Sequence, residues 1–234
     1  MTPGRLQGNV LSIPRMETSP RIALVAGASG LVGGALLDTL LEDPRYREIH
    51  SLGRRPLPRQ HPKLVQHTVD FARLGPQPPP SAQDAFCTLG TTIKKAGSQE
   101  AFRAVDHDAV LSFARAARRA EVQRFIIVTA LGANARSRIF YNRVKGETED
   151  ALKTLGFESL VILQPSLLLG ERAESRLGEQ VAGALSRALA PLLRPLAARP
   201  IEARTVARAM VTLAHQGPPG TRVVPSGELH ALGA

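Results

Sequence analysis

At 234 residues, 43% of them hydrophobic and 21% charged, the chain is long enough to bury one substantial core and too short for more than two domains. Its single cysteine, Cys87, excludes an intramolecular disulfide and by itself forms no metal site, which fits a reducing compartment and leads us to expect a cytoplasmic protein with no metal. The formal charge of +10 raises the question of nucleic acid, but the basic residues are dispersed and two Tyr with no Trp leave little for base stacking, so nucleic acid is set aside as a main partner.

The first twenty residues carry Pro3, Gly4, Gly8, Pro14 and Pro20 without the continuous apolar run of a secretory signal, and read as a flexible N-terminal extension to a single domain over 21–234. That domain opens with a short apolar strand from Arg21, in which Ile22, Leu24 and Val25 suit burial in a parallel sheet. Leu31, Ala35, Leu36 and Leu40 then recur at helical spacing. Between the two lies Gly27-Ala-Ser-Gly30-Leu-Val-Gly33, a glycine turn at a strand-to-helix junction. Gly27 permits the tight turn, Gly30 lets backbone N–H groups approach a pyrophosphate, and Gly33 lets the helix pack on the strand with its N-terminus toward the anion. Four glycines interrupt this apolar stretch, so it does not read as a membrane span.

Asp43-Pro44 ends the helix, and Glu48 to Gly53 reads as a second strand running into Arg54-Arg55. About 20 residues beyond such glycines, NAD-binding folds place an acid on the ribose, whereas an arginine there pairs with the 2′-phosphate of NADP. Two arginines predict NADP(H) in preference to NAD(H). Lys63 to Val69 forms a third strand, followed by Asp70-Phe71 and a proline-rich connector. Asp84 to Gly90 forms a fourth, with Leu89, Gly90 and Thr91 at the carboxyl end, where open α/β sheets bind ligands. Cys87, inside that strand, reads as a buried inert thiol.

Gln99 to Arg119 has the apolar spacing of one long helix, and Arg124 to Thr129 is a fifth strand that delivers Thr129 to the same edge. In Tyr141-Asn-Arg-Val-Lys145 the phenol and the ammonium stand one helical turn apart on one face, where the cation favours loss of the phenolic proton. A tyrosine so placed serves as a general acid or base.

The Gly27/Gly30/Gly33 turn, Gly53-Arg54-Arg55, Cys87 to Thr92 with Lys95-Ala-Gly97, and Tyr141-x-x-x-Lys145-Gly-Glu147 together resemble the short-chain dehydrogenase/reductase superfamily. The likeness runs in order from about Arg21 to at least Glu179, and is greatest to the atypical branch of the Tat-interacting protein homologues. The resemblance implies a Rossmann fold and NADPH, with Gly27, Ser29, Gly30, Leu31 and Gly33 around the pyrophosphate and Arg54 and Arg55 at the 2′-phosphate. It places Asp70 and Phe71 near the adenine, Leu89, Gly90 and Thr91 along the cofactor, and Pro165 by the nicotinamide. Tyr141, Lys145 and Thr129 form the implied catalytic set, with Lys145 also on the nicotinamide ribose. One departure stands out: relatives commonly end the fifth strand in Ser-Ser, where this chain has Thr129-Ala130.

Glu158 to Leu163 reads as a sixth strand, followed by the Gln164-Pro165-Ser166 turn. From about residue 165 onward, including a helix from about Leu177 to Leu196, the chain is expected to form a small substrate-side extension. Glu202 to His215 is an amphipathic helix, and Thr221 to Val224 a last strand. The expectation is thus a doubly wound parallel α/β sheet of order 3-2-1-4-5-6 that exchanges hydride with a small carbonyl or alcohol substrate. Two other readings remain at this point: an NADPH-binding regulatory protein, acting through a protein partner or a homodimer, and a basic nucleic-acid-binding protein.

Overall fold

A computed structural model describes residues 20–74, 79–170 and 199–234. The N-terminal extension and the helix expected around Leu177 to Leu196 lie outside the described residues. Seven parallel strands form the sheet: β1 (Arg21–Ala26), β2 (Tyr46–Gly53), β3 (Leu64–Thr68), β4 (Asp84–Cys87), β5 (Arg124–Val128), β6 (Ser159–Gln164) and, after the two-residue strands β7 (Leu168–Leu169) and β8 (Ile201–Glu202), β9 (Gly220–Pro225). Their order is β3-β2-β1-β4-β5-β6-β9, so the expected six-strand order holds and β9 adds a seventh strand beside β6. The small pair β7-β8 stands apart.

Alternate residues of the central strands are buried on opposite faces, because helices cover both sides. Ala23, Val25, Ile49 and Phe86 face one layer, formed by α1 (Leu31–Glu42) and a later helix, Ala203–Gln216. Val32, Leu36, Leu37 and Leu40 on the first and Val206, Met210 and Leu213 on the second are the spaced apolar residues that make these stripes. Leu24, Ala26, Ala85, Phe125 and Ile127 face the other layer. There the chain runs through α2 (Ile93–Ala96), α3 (Gln99–Arg103), a π-helical segment (Ala104–Ala109) and α4 (Val110–Arg119), and later α5 (Phe140–Lys153). The helix Ala203–Gln216 is α6, and α7 (Ser226–Leu232) ends the chain.

The structure departs from the sequence expectation at two elements. The fourth strand ends at Cys87 rather than Gly90, because its ladder with β1 stops at Ala26–Cys87, where Gly27 turns away at φ +92°. The long helix from Gln99 is interrupted by the π segment, in which the Asp106 carbonyl accepts a hydrogen bond from the Thr148 hydroxyl at 3.0 Å. At the amino ends of the strands, buried Asp84 accepts from the Tyr46 hydroxyl at 2.7 Å and from Arg124, and is paired with Arg21 at 3.4 Å. These bonds tie β1, β2, β4 and β5 together and leave the carboxyl ends to form the site.

Candidate functional site

The glycine turn explains itself atom by atom. A side chain at Gly27 would stand 2.6 Å from the Thr88 carbonyl carbon, and one at Gly33 would stand 2.1 Å from the Gly27 oxygen. Only glycine lets α1 sit this close over the β1 and β4 ends. Gly30 is the N-cap of α1, and no side chain caps the helix, so the positive end of its dipole and its first N–H groups face outward.

Gly27, Ser29 and Gly30 open onto a cleft of about 290 Å³ that also reaches Arg54, Arg55, Asp70, Phe71, Leu89 and Gly90. Nine of the residues expected to hold a cofactor thus share one cleft, although they come from four segments. Both arginines are exposed just beyond β2, and Asp70 caps the turn that buries Phe71. A cradle that a Cβ would fill, an uncapped helix N-terminus and two exposed guanidinium groups fit the phosphates of a dinucleotide. Leu31 and Gly33 do not line this cleft. Leu31 turns toward Gly170 in a neighbouring groove, and Gly33 has the packing role just given.

Lys145 does not line the cleft either: it is buried on α5 behind Gly90, its Nζ 2.7 Å from Asp106 Oδ1. Asp106, fully buried in the π segment, also accepts the Thr91 N–H at 2.8 Å, so Thr91 positions the pair and does not face the cleft. Burial pushes the Asp106 carboxyl up, opposed by Lys145 and the Thr91 N–H. Burial also works against the ammonium of Lys145, but Asp106 and then Tyr141 outweigh it and hold the amine above its ordinary value. Gly90 roofs the pair: a Cβ there would lie 3.6 Å from Lys145 Nζ, so the missing side chain keeps the ammonium within reach of a ligand. Tyr141 stands one turn earlier, half-buried, its ring centroid 5.4 Å from that of Phe102. Side chains at Gly146 would collide with Asn134 and Ala135, which shows how closely α5 lies against the loop after β5.

Thr129 is engaged elsewhere. Its buried hydroxyl donates to Glu149 Oε1 at 2.6 Å, and Gln164 donates to both oxygens of the same carboxyl at 3.0 Å. Pro165, buried after β6, accepts the Leu131 N–H at 2.9 Å and fixes the loop beside β5. Burial pushes the Cys87 thiol up to about 12, which fits an inert core residue.

The sequence reading missed Asp106 and His67. Asp106 had a signal: an acid on the stripe Phe102, Asp106, Val110, Phe113 must find a partner once buried. His67, which lines the cleft from β3, had none, because its neighbour is brought to it by strand pairing.

No family model matches the chain. Individual proteins do. The chain is 34% identical over 185 residues to "Protein FMP52, mitochondrial" of Coccidioides immitis, covering 73% of this chain and 75% of that one. It is 36% identical over 163 residues to "Protein HTATIP2" of Rattus norvegicus, covering 68% and 67%. Among solved structures, human epimerase family protein SDR39U1 with NADPH superposes with a TM-score of 0.60 at 18% identity, covering 91% of this chain and 80% of that one. UDP-glucose 4-epimerase of Thermotoga maritima with UDP-glucose gives 0.64 at 12% identity, covering 88% and 77%. These two establish a shared fold. The FMP52 relatives of Coccidioides immitis, Eremothecium gossypii and Emericella nidulans are all named mitochondrial, which overturns the expectation of a cytoplasmic protein. A lone cysteine reports a reducing environment, and that does not distinguish the two compartments.

Proposed function

The chain belongs to the atypical short-chain dehydrogenase/reductases, together with the FMP52 and Tat-interacting protein homologues, and on that premise we propose that it is an NADP(H)-dependent oxidoreductase acting on a small carbonyl compound or the corresponding alcohol. The observation that carries this reading is the buried Lys145–Asp106 pair, one turn from Tyr141 and directly behind Gly90, which lines the same cleft as Arg54 and Arg55. The names of the fungal relatives add a mitochondrial setting.

In this reading Gly27, Ser29, Gly30 and the first N–H groups of α1 hold the pyrophosphate. Arg54 and Arg55 take the 2′-phosphate, and Asp70 and Phe71 flank the adenine. Leu89 and Gly90 lie along the cofactor, and Pro165 fixes the loop that covers its nicotinamide end. When bound, a nicotinamide cofactor supplies or accepts the hydride. Tyr141 then gives its phenolic proton to the substrate oxygen during reduction, or takes it back during oxidation. Lys145, kept charged by Asp106, stabilises the phenolate left behind and bonds the cofactor's ribose hydroxyls. Proton transfer rests on these two residues alone, since the Thr129 proton is committed to Glu149.

A screen of aldehydes, ketones and quinones, following NADPH absorbance, tests the reading. The chain should oxidise NADPH in preference to NADH with at least one class, and Arg54→Ala should reduce that preference roughly ten- to a hundredfold, the range for loss of a charge-assisted contact of about 1.5–3 kcal/mol. Tight NADPH binding without oxidation by any class would favour a regulatory cofactor-binding protein instead.

A further inference from the structure

One histidine lines the cleft and a second stands directly behind it, and neither belongs to the machinery described so far. His67 on β3 is half-buried and lines the cleft together with Arg54 and Arg55. Its Nε2 lies 2.8 Å from Nδ1 of His50, a buried residue of β2, with the ring centroids 5.0 Å apart. The other nitrogen of His50, Nε2, lies 2.5 Å from Glu48 Oε1. The three side chains thus form a line from a partly exposed carboxylate to the cofactor cleft.

Counting protons along this line fixes what its inner end presents. Glu48 accepts, so His50 donates through Nε2 and, when neutral, offers Nδ1 as an acceptor. His67 must then donate through Nε2, which leaves its Nδ1 as a bare lone pair; that nitrogen has no hydrogen-bonding partner among the described residues. Add one proton to the pair. If His67 holds it, Nδ1 becomes an N–H. If His50 holds it, His50 donates to His67 Nε2, and the His67 proton moves to Nδ1. Either way one proton turns His67 Nδ1 from acceptor to donor, and no existing hydrogen bond is lost.

We propose that His67 is a proton-dependent contact for the 2′-phosphate of NADP(H): the His50–His67 pair takes up a proton from solvent when a 2′-phosphorylated ribose enters the cleft, and none when the ribose is unphosphorylated. The inference rests on the NADP(H) reading above and adds a specificity residue to it.

The surroundings set the direction. Burial and then the neighbouring His50 push His67 below its ordinary value, which disfavours a second proton on its ring. Arg54 and Arg55 beyond β2, and Lys95 across the cleft, oppose the proton. Glu48 on β2 and Asp70 beyond β3, the latter 4.0 Å from Arg73, favour it. The residues of the π segment and α4 side that line the cleft, Ala104, Val105 and Ala109, carry no charge. A phosphate dianion held by the two arginines cancels the opposing charges and adds an attractive one. Proton uptake on binding makes affinity rise as pH falls, by up to about tenfold per pH unit for one proton.

The test is calorimetry of NADP⁺ and NAD⁺ binding near pH 7 in buffers of different ionisation enthalpy, for the unmodified chain and for His67→Gln. The contribution of the ligand's own phosphate is obtained from titration of free NADP⁺. The unmodified chain should take up close to one proton more with NADP⁺ than with NAD⁺, and its preference for NADP⁺ should rise between pH 8 and pH 6. In His67→Gln the extra proton should vanish and the preference should become flat with pH. Because that variant could fold poorly, ¹H–¹⁵N spectra of the imidazole rings of the unmodified chain supply a second readout. Addition of NADP⁺, and not NAD⁺, should move Nδ1 of one histidine from the lone-pair to the N–H range. Preference for NADP⁺ with equal proton uptake in both chains, or with unchanged imidazole nitrogens, overturns the role of His67 and leaves the cofactor reading standing. Failure to bind either dinucleotide overturns both.

Discussion

A hydroxyl carries one proton, and the partner that receives it decides whether Thr129 belongs to the chemistry or to the frame. Glu149 is buried, which pushes its carboxyl up, while Thr129 and Gln164 donate to it and pull it down. Thr129→Ala removes one of these donors from a buried acceptor, which costs about 1–3 kcal/mol. The expected outcome is a lower denaturation midpoint in urea with turnover little changed, read from denaturation curves beside NADPH oxidation rates. A hundredfold loss of turnover at unchanged stability would instead put the Thr129 hydroxyl on the substrate. The sequence placed Thr129 correctly at the carboxyl edge of β5. Its partner could not be seen, because Glu149 lies on another element and only the packing of α5 against the sheet joins them. Asp106 and Lys145 are the opposite case: a lysine one turn from a tyrosine and an acid on an apolar stripe are each legible, and what was hidden is that they meet.

At the scale of elements, the junction of β1 and α1 makes the most demanding use of glycine. Gly33→Ala sets a methyl 2.1 Å from a backbone oxygen that has nowhere to move, so α1 must shift off the turn. Gly34, the next residue, has its nearest obstacle 3.8 Å away and lies inside the helix, where alanine is favoured over glycine by roughly 0.5–1 kcal/mol. Thermal unfolding of the two variants should move in opposite directions, down for Gly33→Ala and up by about 2–4 °C per kcal/mol for Gly34→Ala. Movement in the same direction would mean that α1 does not sit over the turn as described. The strands were legible because residues buried on both faces form short apolar runs, and α1 and α6 because their stripes have helical spacing. The π segment was not legible, since the bond from Thr148 to the Asp106 carbonyl that accompanies it depends on a helix some forty residues further along. α7 was missed for a related reason: its buried Leu229 and Ser226 have meaning only against α6 and the turn after β6.

At the scale of the molecule, the two ends of the sheet are built differently. The amino ends are tied by Asp84 to Tyr46, Arg21 and Arg124, and burial with that carboxyl beside it pushes the Tyr46 phenol far up. The carboxyl ends spread into the cleft, where Gly27, Arg54, Asp70 and Gly90 arrive from four separate strands. Parallel pairing explains this, because every strand runs the same way and every strand-to-helix turn falls on one edge. The order of strands followed from the resemblance and the Rossmann fold it implies, since alternation of strand and helix alone is compatible with other doubly wound orders; the place of the seventh strand did not follow, because a short apolar run carries no information about its neighbour. The net charge of +10 now has a partial account in cations placed along a cleft for an anionic cofactor.

In the function proposed above, Tyr141 and Lys145 divide proton transfer and cofactor binding between them. In the proposed reaction the Tyr141 proton would move only as the substrate reacts, whereas the Lys145 ammonium would bond the cofactor in the ground state as well. One paired measurement tests this most directly: NADPH affinity by calorimetry and carbonyl-dependent NADPH oxidation, on the same preparations of Tyr141→Phe and Lys145→Ala. Tyr141→Phe should keep its NADPH affinity and lose about 10²-fold or more in turnover, while Lys145→Ala should lose both. Turnover that survives in Tyr141→Phe would contradict this division.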